Sequence, residues 1–131
     1  MKIDNLEKEI AIAISAATKS GKLLSENRIS LNHSMESSAK DIKLKADIES
    51  EFIIKRALSD KSNFPILAEE SGKSQNDLGD IFWVVDPLDG TANYNRDIPI
   101  CCVSVGLVYK MNPIAGIIYD FYNDDLYVGN N

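Results

Sequence analysis

Carboxylates flank the most hydrophobic segments of the chain and could bind a cation. Asp86 ends the apolar run IFWVVD, and Asp89 follows three residues later across a Pro-Leu turn. Upstream, Glu69 and Glu70 end the run PILAEE. Carboxylates that converge on one turn repel each other unless protons or cations balance their charge. Mg²⁺ suits one or two carboxylates together with waters and a phosphate, so this spacing indicates a site for a metal ion and a phosphate.

The relative position of the two apolar runs decides how many carboxylates meet. If the runs are neighbouring strands, Glu69 lies beside Asp86. Together with Asp89 this places three carboxylates at one edge of the sheet, which suffice for a pair of metal ions that bridges a phosphate. Gly90 and Thr91 are predicted to open a short helix whose backbone N–H groups point toward an anion. Alternatively, the segment is only a turn, because Asp-Pro and Asp-Gly are ordinary turn pairs. The residues alone leave both interpretations open.

Two helices and five strands are predicted to position these residues. A first amphipathic helix over residues 4–27, with Asp4 as candidate cap, is indicated by apolar residues at helical spacing: Leu6, Ile10, Ala13, Ile14, Ala17 and Leu24. A second helix from about Asp47 to Ser59 is expected to bury Ile48, Phe52, Ile53 and Leu58. The polar residues 28–41 between them are predicted to form a loop with some extended structure.

The second half of the sequence consists of apolar runs separated by short turn clusters. The runs are PILAE, IFWVVD, ICCVSVGLVY, PIAGIIYDF and DLYV. Separators this short favour antiparallel meanders over helical crossovers. The order of elements predicts an α+β fold in which two N-terminal helices pack on a largely antiparallel sheet. We expect one domain over residues 1–131.

Composition and charge exclude several classes of function. Fourteen basic and twenty acidic residues give a net charge of −6, which disfavours nucleic acid as a partner. No apolar run approaches the roughly 20 residues that span a bilayer, and the N-terminus lacks a signal-peptide core, so a cytoplasmic location without a membrane partner is expected. The only histidine, His33, leaves little material for Ser/His/Asp catalysis. The adjacent Cys101 and Cys102 are badly placed to form a disulfide with each other.

The motif Asp86-Pro87-Leu88-Asp89-Gly90-Thr91, preceded by Trp83-Val84-Val85 and Glu69-Glu70-Ser71, resembles the inositol monophosphatase family of Mg²⁺-dependent, lithium-sensitive phosphatases. The spacing D-x-x-D-G-T arises by chance in on the order of 10⁻³ of chains this long. The resemblance extends over essentially the whole chain. It implies the α/β sandwich of that family without its C-terminal half, and a small phosphorylated substrate.

The resemblance also implies a role for each residue of the metal site. Glu69 would bind the first metal ion and hold the attacking water, and Asp86 would be shared between two metal ions. Leu88 would contribute its backbone carbonyl, and Asp89 would bind the second metal ion. The cofactor implied is Mg²⁺.

Further residues are implied to act on the water and on the substrate. Thr91, with Glu69, would orient and activate the water, and Asp47 would support Thr91. The N–H groups of Gly90 and Thr91 would hold the phosphate. The implied substrate-binding set is Glu69, Leu88, Asp89, Gly90 and Thr91.

The sequence departs from the family pattern in two places. Leu44 stands where the family usually has a threonine, which removes a hydroxyl near the site. Family members are also roughly twice as long, and their second half carries an aspartate that completes the second metal site. We therefore expect an N-terminal half: a fragment, a truncated product or one piece of a split protein. Its last strand would present an unpaired edge, which favours a homodimer.

The leading hypothesis is a Mg²⁺-dependent phosphomonoesterase acting on inositol monophosphate or a similar polyol or sugar phosphate through two-metal activation of water. One alternative is a relative that acts on 3′-phosphoadenosine phosphate, fructose bisphosphate, NADP or histidinol phosphate. Another is a non-catalytic fragment that binds a metal ion or a partner. A third is an α+β interaction domain without a metal site.

Overall fold

The computed structural model describes residues 5–32, 34–37 and 42–131 of the chain. The helices are α1 Leu6–Glu26, α2 Arg28–Leu31, α3 Lys45–Lys61 and α4 Thr91–Asn95. The strands are β1 Ser34–Ser37, β2 Ile42–Leu44, β3 Ile66–Ala68, β4 Gly72–Lys73, β5 Ile81–Asp89, β6 Cys102–Tyr109, β7 Asn112–Asp120 and β8 Asp125–Asn130. The predicted α+β class, with helices packed on a mostly antiparallel sheet, is confirmed.

One six-stranded sheet, in the order β4-β3-β5-β6-β7-β8, organises the described part of the chain. From β5 to β8 each strand pairs antiparallel with the next, as the short turn clusters predicted. The largely antiparallel sheet has one parallel pair, β3 with β5, where the short separator favoured antiparallel pairing. The short strand β4, which the sequence did not suggest, pairs antiparallel with β3 at the outer edge. The chain therefore crosses from β3 to β5 by way of this edge strand.

Helices α1 and α3 pack against each other and against the central strands of the sheet. The predicted apolar stripe of α1 is confirmed, because Ile10, Ala13, Ala17 and Leu24 are all buried. The candidate cap Asp4 lies outside the described residues, and the Asn5 side chain accepts a hydrogen bond from the backbone of Lys8 instead. The core between the helices and the sheet is filled mainly by aliphatic and aromatic side chains of β5, β6 and β7.

The predicted burial of α3 is only partly correct. Leu58 is buried, but Ile48 and Phe52 are 41% and 60% exposed. The residues that α3 does bury include three polar ones, Asp47, Ser50 and Glu51, together with Ala46, Ile54 and Leu58. The hydrophobic pattern therefore misplaced the inward face, because polar side chains occupy part of it.

The polar stretch between α1 and α3 is more regular than a loop. Residues 28–31 form the helical turn α2, and β1 and β2 form a two-stranded antiparallel sheet, which agrees with the expected extended structure. The guanidinium of Arg28 in α2 donates to the Tyr94 carbonyl over 3.0 Å and forms an ion pair with Asp97 at 3.0 Å. These contacts connect the end of α1 to the segment that follows β5.

Two simpler predictions are tested directly. Cys101 and Cys102 are both free thiols. Of the helices in the described ranges, none combines the length and apolarity that crossing a bilayer requires.

Candidate functional site

The parallel pairing of β3 with β5 brings the first predicted carboxylate pair together. Ala68 lies opposite Val85, and the Glu69 N–H donates to the Val85 carbonyl over 3.1 Å. Glu69 therefore lies beside Asp86, as predicted for neighbouring strands. Two antiparallel neighbours would have placed these residues at opposite edges.

The side chains of Glu69 and Asp86 are joined by a hydrogen bond. This bond, together with partial desolvation and the negative charge of Asp86, raises the pKa of Glu69 to about 8. Two carboxylates in contact are compatible only when a proton or a cation offsets their charge. The pair therefore has the donor chemistry that a divalent cation prefers.

The turn at the end of β5, residues 86–91, is held by local hydrogen bonds. The Leu88 N–H donates to a carboxylate oxygen of Asp86 at 3.3 Å, and the Thr91 hydroxyl lies 3.1 Å from the Leu88 carbonyl oxygen. Gly90 has φ 92°, and a Cβ there would lie 2.8 Å from the backbone oxygen of Ile100. Only glycine fits that backbone without strain. The predicted short helix after Gly90 is confirmed as α4.

Helix α3 holds this turn through Asp47, which is almost completely buried. One carboxylate oxygen accepts from the Thr91 hydroxyl over 2.9 Å, and the other accepts from the Leu44 N–H over 2.8 Å. These two hydrogen bonds lower the pKa of Asp47, but desolvation by burial is the larger effect and raises that pKa to about 6. At neutral pH the carboxylate is therefore ionised and acts as the acceptor for the Thr91 proton.

Two more polar side chains of α3 reach the same region, and the sequence analysis did not select them. Ser50 donates to the Pro87 carbonyl over 2.6 Å and shares a short hydrogen bond with the buried Ser20 of α1. Glu51 accepts from the Glu70 N–H over 3.0 Å. Their spacing from Asp47, at i+3 and i+4, is the signal that could have revealed them, because such residues share one helix face.

The third predicted carboxylate, Asp89, is the last residue of β5. Its side chain is exposed and lies 4.0 Å from the Cys102 sulfur. Within the described ranges, no three His, Cys, Asp or Glu side chains are grouped in a way that could hold a metal ion. His33 lies outside the described residues. The structure thus brings together Glu69 and Asp86, and it joins Thr91 to both Asp47 and the Leu88 carbonyl.

Comparison with known proteins agrees with this arrangement. The sequence model of the Inositol monophosphatase family matches residues 5–131. The chain is 37% identical to a protein of Aquifex aeolicus named fructose-1,6-bisphosphatase/inositol-1-monophosphatase, over 97% of this chain and 49% of that protein. It is 30% identical to inositol monophosphatase 1 of Solanum lycopersicum, over 97% of this chain and 48% of that protein.

Solved structures give the same result for the fold. The extragenic suppressor protein suhB from Bartonella henselae superposes with a TM-score of 0.85 at 31% identity, covering 94% of this chain and 48% of that one. An inositol monophosphatase from Anabaena superposes with a TM-score of 0.81 at 35% identity, covering 96% of this chain and 45% of that one. The chain thus spans about half the length of the relatives it matches. Its fold, its motif and the family match together assign it to the inositol monophosphatase family.

Proposed function

We propose that this chain carries the N-terminal part of the active site of a Mg²⁺-dependent phosphomonoesterase that acts on inositol monophosphate or a similar polyol or sugar phosphate. The observation that supports this most is the contact between Glu69 and Asp86 beside the turn that Asp47 and Thr91 hold. The Aquifex aeolicus relative, named for both fructose-1,6-bisphosphate and inositol 1-phosphate, makes these the two substrates to test first.

Glu69, Asp86 and the Leu88 carbonyl would hold the first Mg²⁺, and Asp89 would contribute to a second. When bound, the metal lowers the pKa of a water molecule and offsets charge on the phosphate. The second ion would need a further ligand, because the family resemblance implies an aspartate there that lies outside the matched half. This makes the first metal position the one that the chain alone is expected to retain.

The remaining residues would position water and phosphate. Ionised Asp47 accepts the Thr91 proton, so the lone pairs of the Thr91 oxygen face away from Asp47 and can accept a hydrogen bond from water. Glu69 would receive the second proton of that water. The backbone N–H groups of Gly90 and Thr91, at the start of α4, would hold phosphate oxygens. Substrate would thus contact Glu69, Leu88, Asp89, Gly90 and Thr91.

The predicted homodimer, the cytoplasmic location and lithium inhibition stay predictions. The position of β8 at the edge of the sheet supports self-association, because an edge strand presents backbone groups for pairing. Sedimentation of the purified chain would measure this directly.

Phosphate release from inositol 1-phosphate and from fructose 1,6-bisphosphate, with and without Mg²⁺, tests the proposal. Asp86→Asn removes one carboxylate of the pair, whereas Asp60→Asn makes the same change at an exposed position at the end of α3. We expect Mg²⁺-dependent release that Asp86→Asn abolishes and Asp60→Asn retains. Loss of a residue beside a metal ligand typically costs about 10- to 100-fold in affinity, so loss of Asp86 should weaken Mg²⁺ binding by at least as much.

A second candidate function is a metal-binding fragment without turnover. The grouping of only two carboxylates, Glu69 and Asp86, within the described residues favours it, because a single metal position can bind an ion without supporting a two-metal reaction. Mg²⁺ binding that depends on Asp86 but is accompanied by no phosphate release would select this alternative. Absence of Mg²⁺ binding would contradict both proposals.

A further inference from the structure

The polar stretch between α1 and α3 places two side chains at the end of α4. The last two residues of that helix are Tyr94 and Asn95. The guanidinium of Arg28 donates to the Tyr94 carbonyl over 3.0 Å, and the side-chain amide of Asn32 donates to the Asn95 carbonyl over 3.1 Å. The last carbonyls of a helix have no partner within the helix. Arg28 and Asn32 therefore hold the C-terminal end of α4, and we call this pair the α4 clamp.

Arg28 has the larger number of partners in the α4 clamp. Its Nε donates to the Tyr122 hydroxyl, and the same guanidinium forms the ion pair with Asp97. It also lies 5.5 Å from the centre of the Tyr94 ring, within the range of a cation–π interaction. A cation is favoured at a helix C-terminus, and the planar guanidinium can donate to two acceptors at once. Since only 20% of its side chain is exposed, Arg28 is a fixed point of attachment for α4.

Helix α4 is too short to keep its position without such an attachment. It has five residues, which corresponds to a length of about 7–8 Å, and helices this short are unstable in isolation. Its turn is closed by the Tyr94 N–H, which donates to the Gly90 carbonyl over 3.0 Å. Tyr94 is therefore bound to Arg28 through its carbonyl and to Gly90 through its N–H. A shift of the Tyr94 backbone must displace Gly90 as well.

We propose that Arg28 is a positioning residue for Gly90 and Thr91, whose backbone N–H groups are the proposed donors to the substrate phosphate. Arg28 acts from the far end of α4, through Tyr94, and not by contact with the substrate. The importance of this position for catalysis rests on the proposed function. The mechanical link between Arg28 and Gly90 does not, because its hydrogen bonds are present without any ligand.

The link can be measured in the chain without ligand or turnover. Arg28→Met removes every polar contact of the guanidinium. It should shift the amide signals of Gly90 and Thr91 in nuclear magnetic resonance spectra and accelerate hydrogen exchange of the Tyr94 N–H by about 10-fold, because α4 opens locally when it loses its attachment. Tyr122→Phe removes another partner of Arg28 and keeps the bond to Tyr94. It should lower the melting temperature and leave these amide signals and the exchange rate unchanged.

Inorganic phosphate is the probe for the consequence at the site. In the presence of Mg²⁺, calorimetry below the melting temperature of each variant should show that Arg28→Met binds phosphate about 10-fold more weakly than the unchanged chain. That is less than the roughly 100-fold that a misplacement of 1 Å can cost. Tyr122→Phe should bind phosphate as the unchanged chain does. Arg56→Met, the same substitution at an exposed position of α3, is the matched control and should change neither the amide signals nor the affinity.

Two results would overturn the proposal. Unchanged Gly90 and Thr91 signals in Arg28→Met would show that Arg28 does not position these residues. An equal loss of phosphate affinity in Tyr122→Phe would show that Arg28 acts only through overall stability. If the unchanged chain binds no phosphate, the proposed function fails, and the amide signals still decide whether Arg28 positions Gly90 and Thr91. Should Arg28→Met not fold, Arg28→Gln keeps one donor, and a smaller change in the same direction is expected.

Discussion

The hydrogen bonds of Ser50 predict an unusual pattern of stabilities. Ser50 donates to the buried Pro87 carbonyl, so the hydrogen bond it shares with Ser20 must be donated by Ser20. Both serines are completely buried. Replacing Ser50 by alanine therefore leaves two buried polar groups without a partner, the Ser20 hydroxyl on α1 and the Pro87 carbonyl near the end of β5.

The cost of each substitution follows from the number of groups it leaves unpaired. A buried polar group without a partner costs about 1–3 kcal/mol. Ser50→Ala should therefore lower the free energy of unfolding by about 2–4 kcal/mol, less than the full sum because the Ser20 hydroxyl can rotate toward a carbonyl of its own helix. Ser20→Ala removes one hydrogen bond and keeps the bond to Pro87, so about 0.5–1.5 kcal/mol is expected.

The double variant separates this explanation from ordinary loss of packing. With Ser20 also changed to alanine, only the Pro87 carbonyl remains unpaired, so the double variant should be more stable than Ser50→Ala by about 1 kcal/mol. Urea unfolding of the four proteins measures this, and Mg²⁺ titration should show weaker binding whenever Ser50 is absent. Strictly additive losses, or a Ser50→Ala loss below about 0.5 kcal/mol, would refute the reasoning.

Two further predictions concern packing and protonation. Gly21→Ala should lower the free energy of unfolding in urea by about 1–3 kcal/mol, despite the better helix propensity of alanine, because its Cβ would clash with the Tyr119 ring. A stabilised variant would contradict that packing. Without Mg²⁺, the free energy of unfolding should fall as pH rises. Folding raises the pKa of Asp47 from 3.8 to about 6 and the pKa of Glu69 from 4.5 to about 8. Unfolding therefore releases protons between those pairs of values, which favours the unfolded state at higher pH. Asp47→Asn should reduce the slope between pH 3.8 and about 6, a range to which Glu69 also contributes, and Glu69→Gln should remove the slope from about pH 6 to about 8. Unchanged slopes would contradict the assigned pKa shifts.

Local patterns in the sequence were sufficient for most of the fold. The stripe from Ile10 to Leu24 and the alternating strands from β5 to β8 are signals that act over a few residues. The parallel pairing of β3 with β5 is not such a signal, because the polar residues 69–80 between the two strands show no helical pattern and read as a turn cluster. The pairing becomes possible because the chain first adds β4 at the outer edge.

The candidate site was predicted in part for the same reason. Asp86 to Thr91 are contiguous, so their proximity follows from the sequence. The contact between Glu69 and Asp86 was stated as conditional on strand pairing, and the structure meets that condition. Ser50 and Glu51 were not predicted, because hydrophobic periodicity assigns the inward face of a helix to its apolar residues. In α3 the apolar Phe52 is exposed and the polar Ser50 and Glu51 are buried, so that rule selects the wrong face.

The polar inward face of α3 gives the site and the core a common support. Asp47 accepts from Thr91, and Ser50 donates to the Pro87 carbonyl, so both residues hold the turn at the end of β5. Glu51 accepts from the Glu70 N–H and so holds the segment after β3. One face of α3 therefore positions both segments. The same helix packs on α1 and on β5 through its apolar residues. A substitution that shifts α3 against α1 must therefore displace both segments together. The relative position of Glu69 and Asp86 is accordingly set by core packing as much as by the carboxylates themselves.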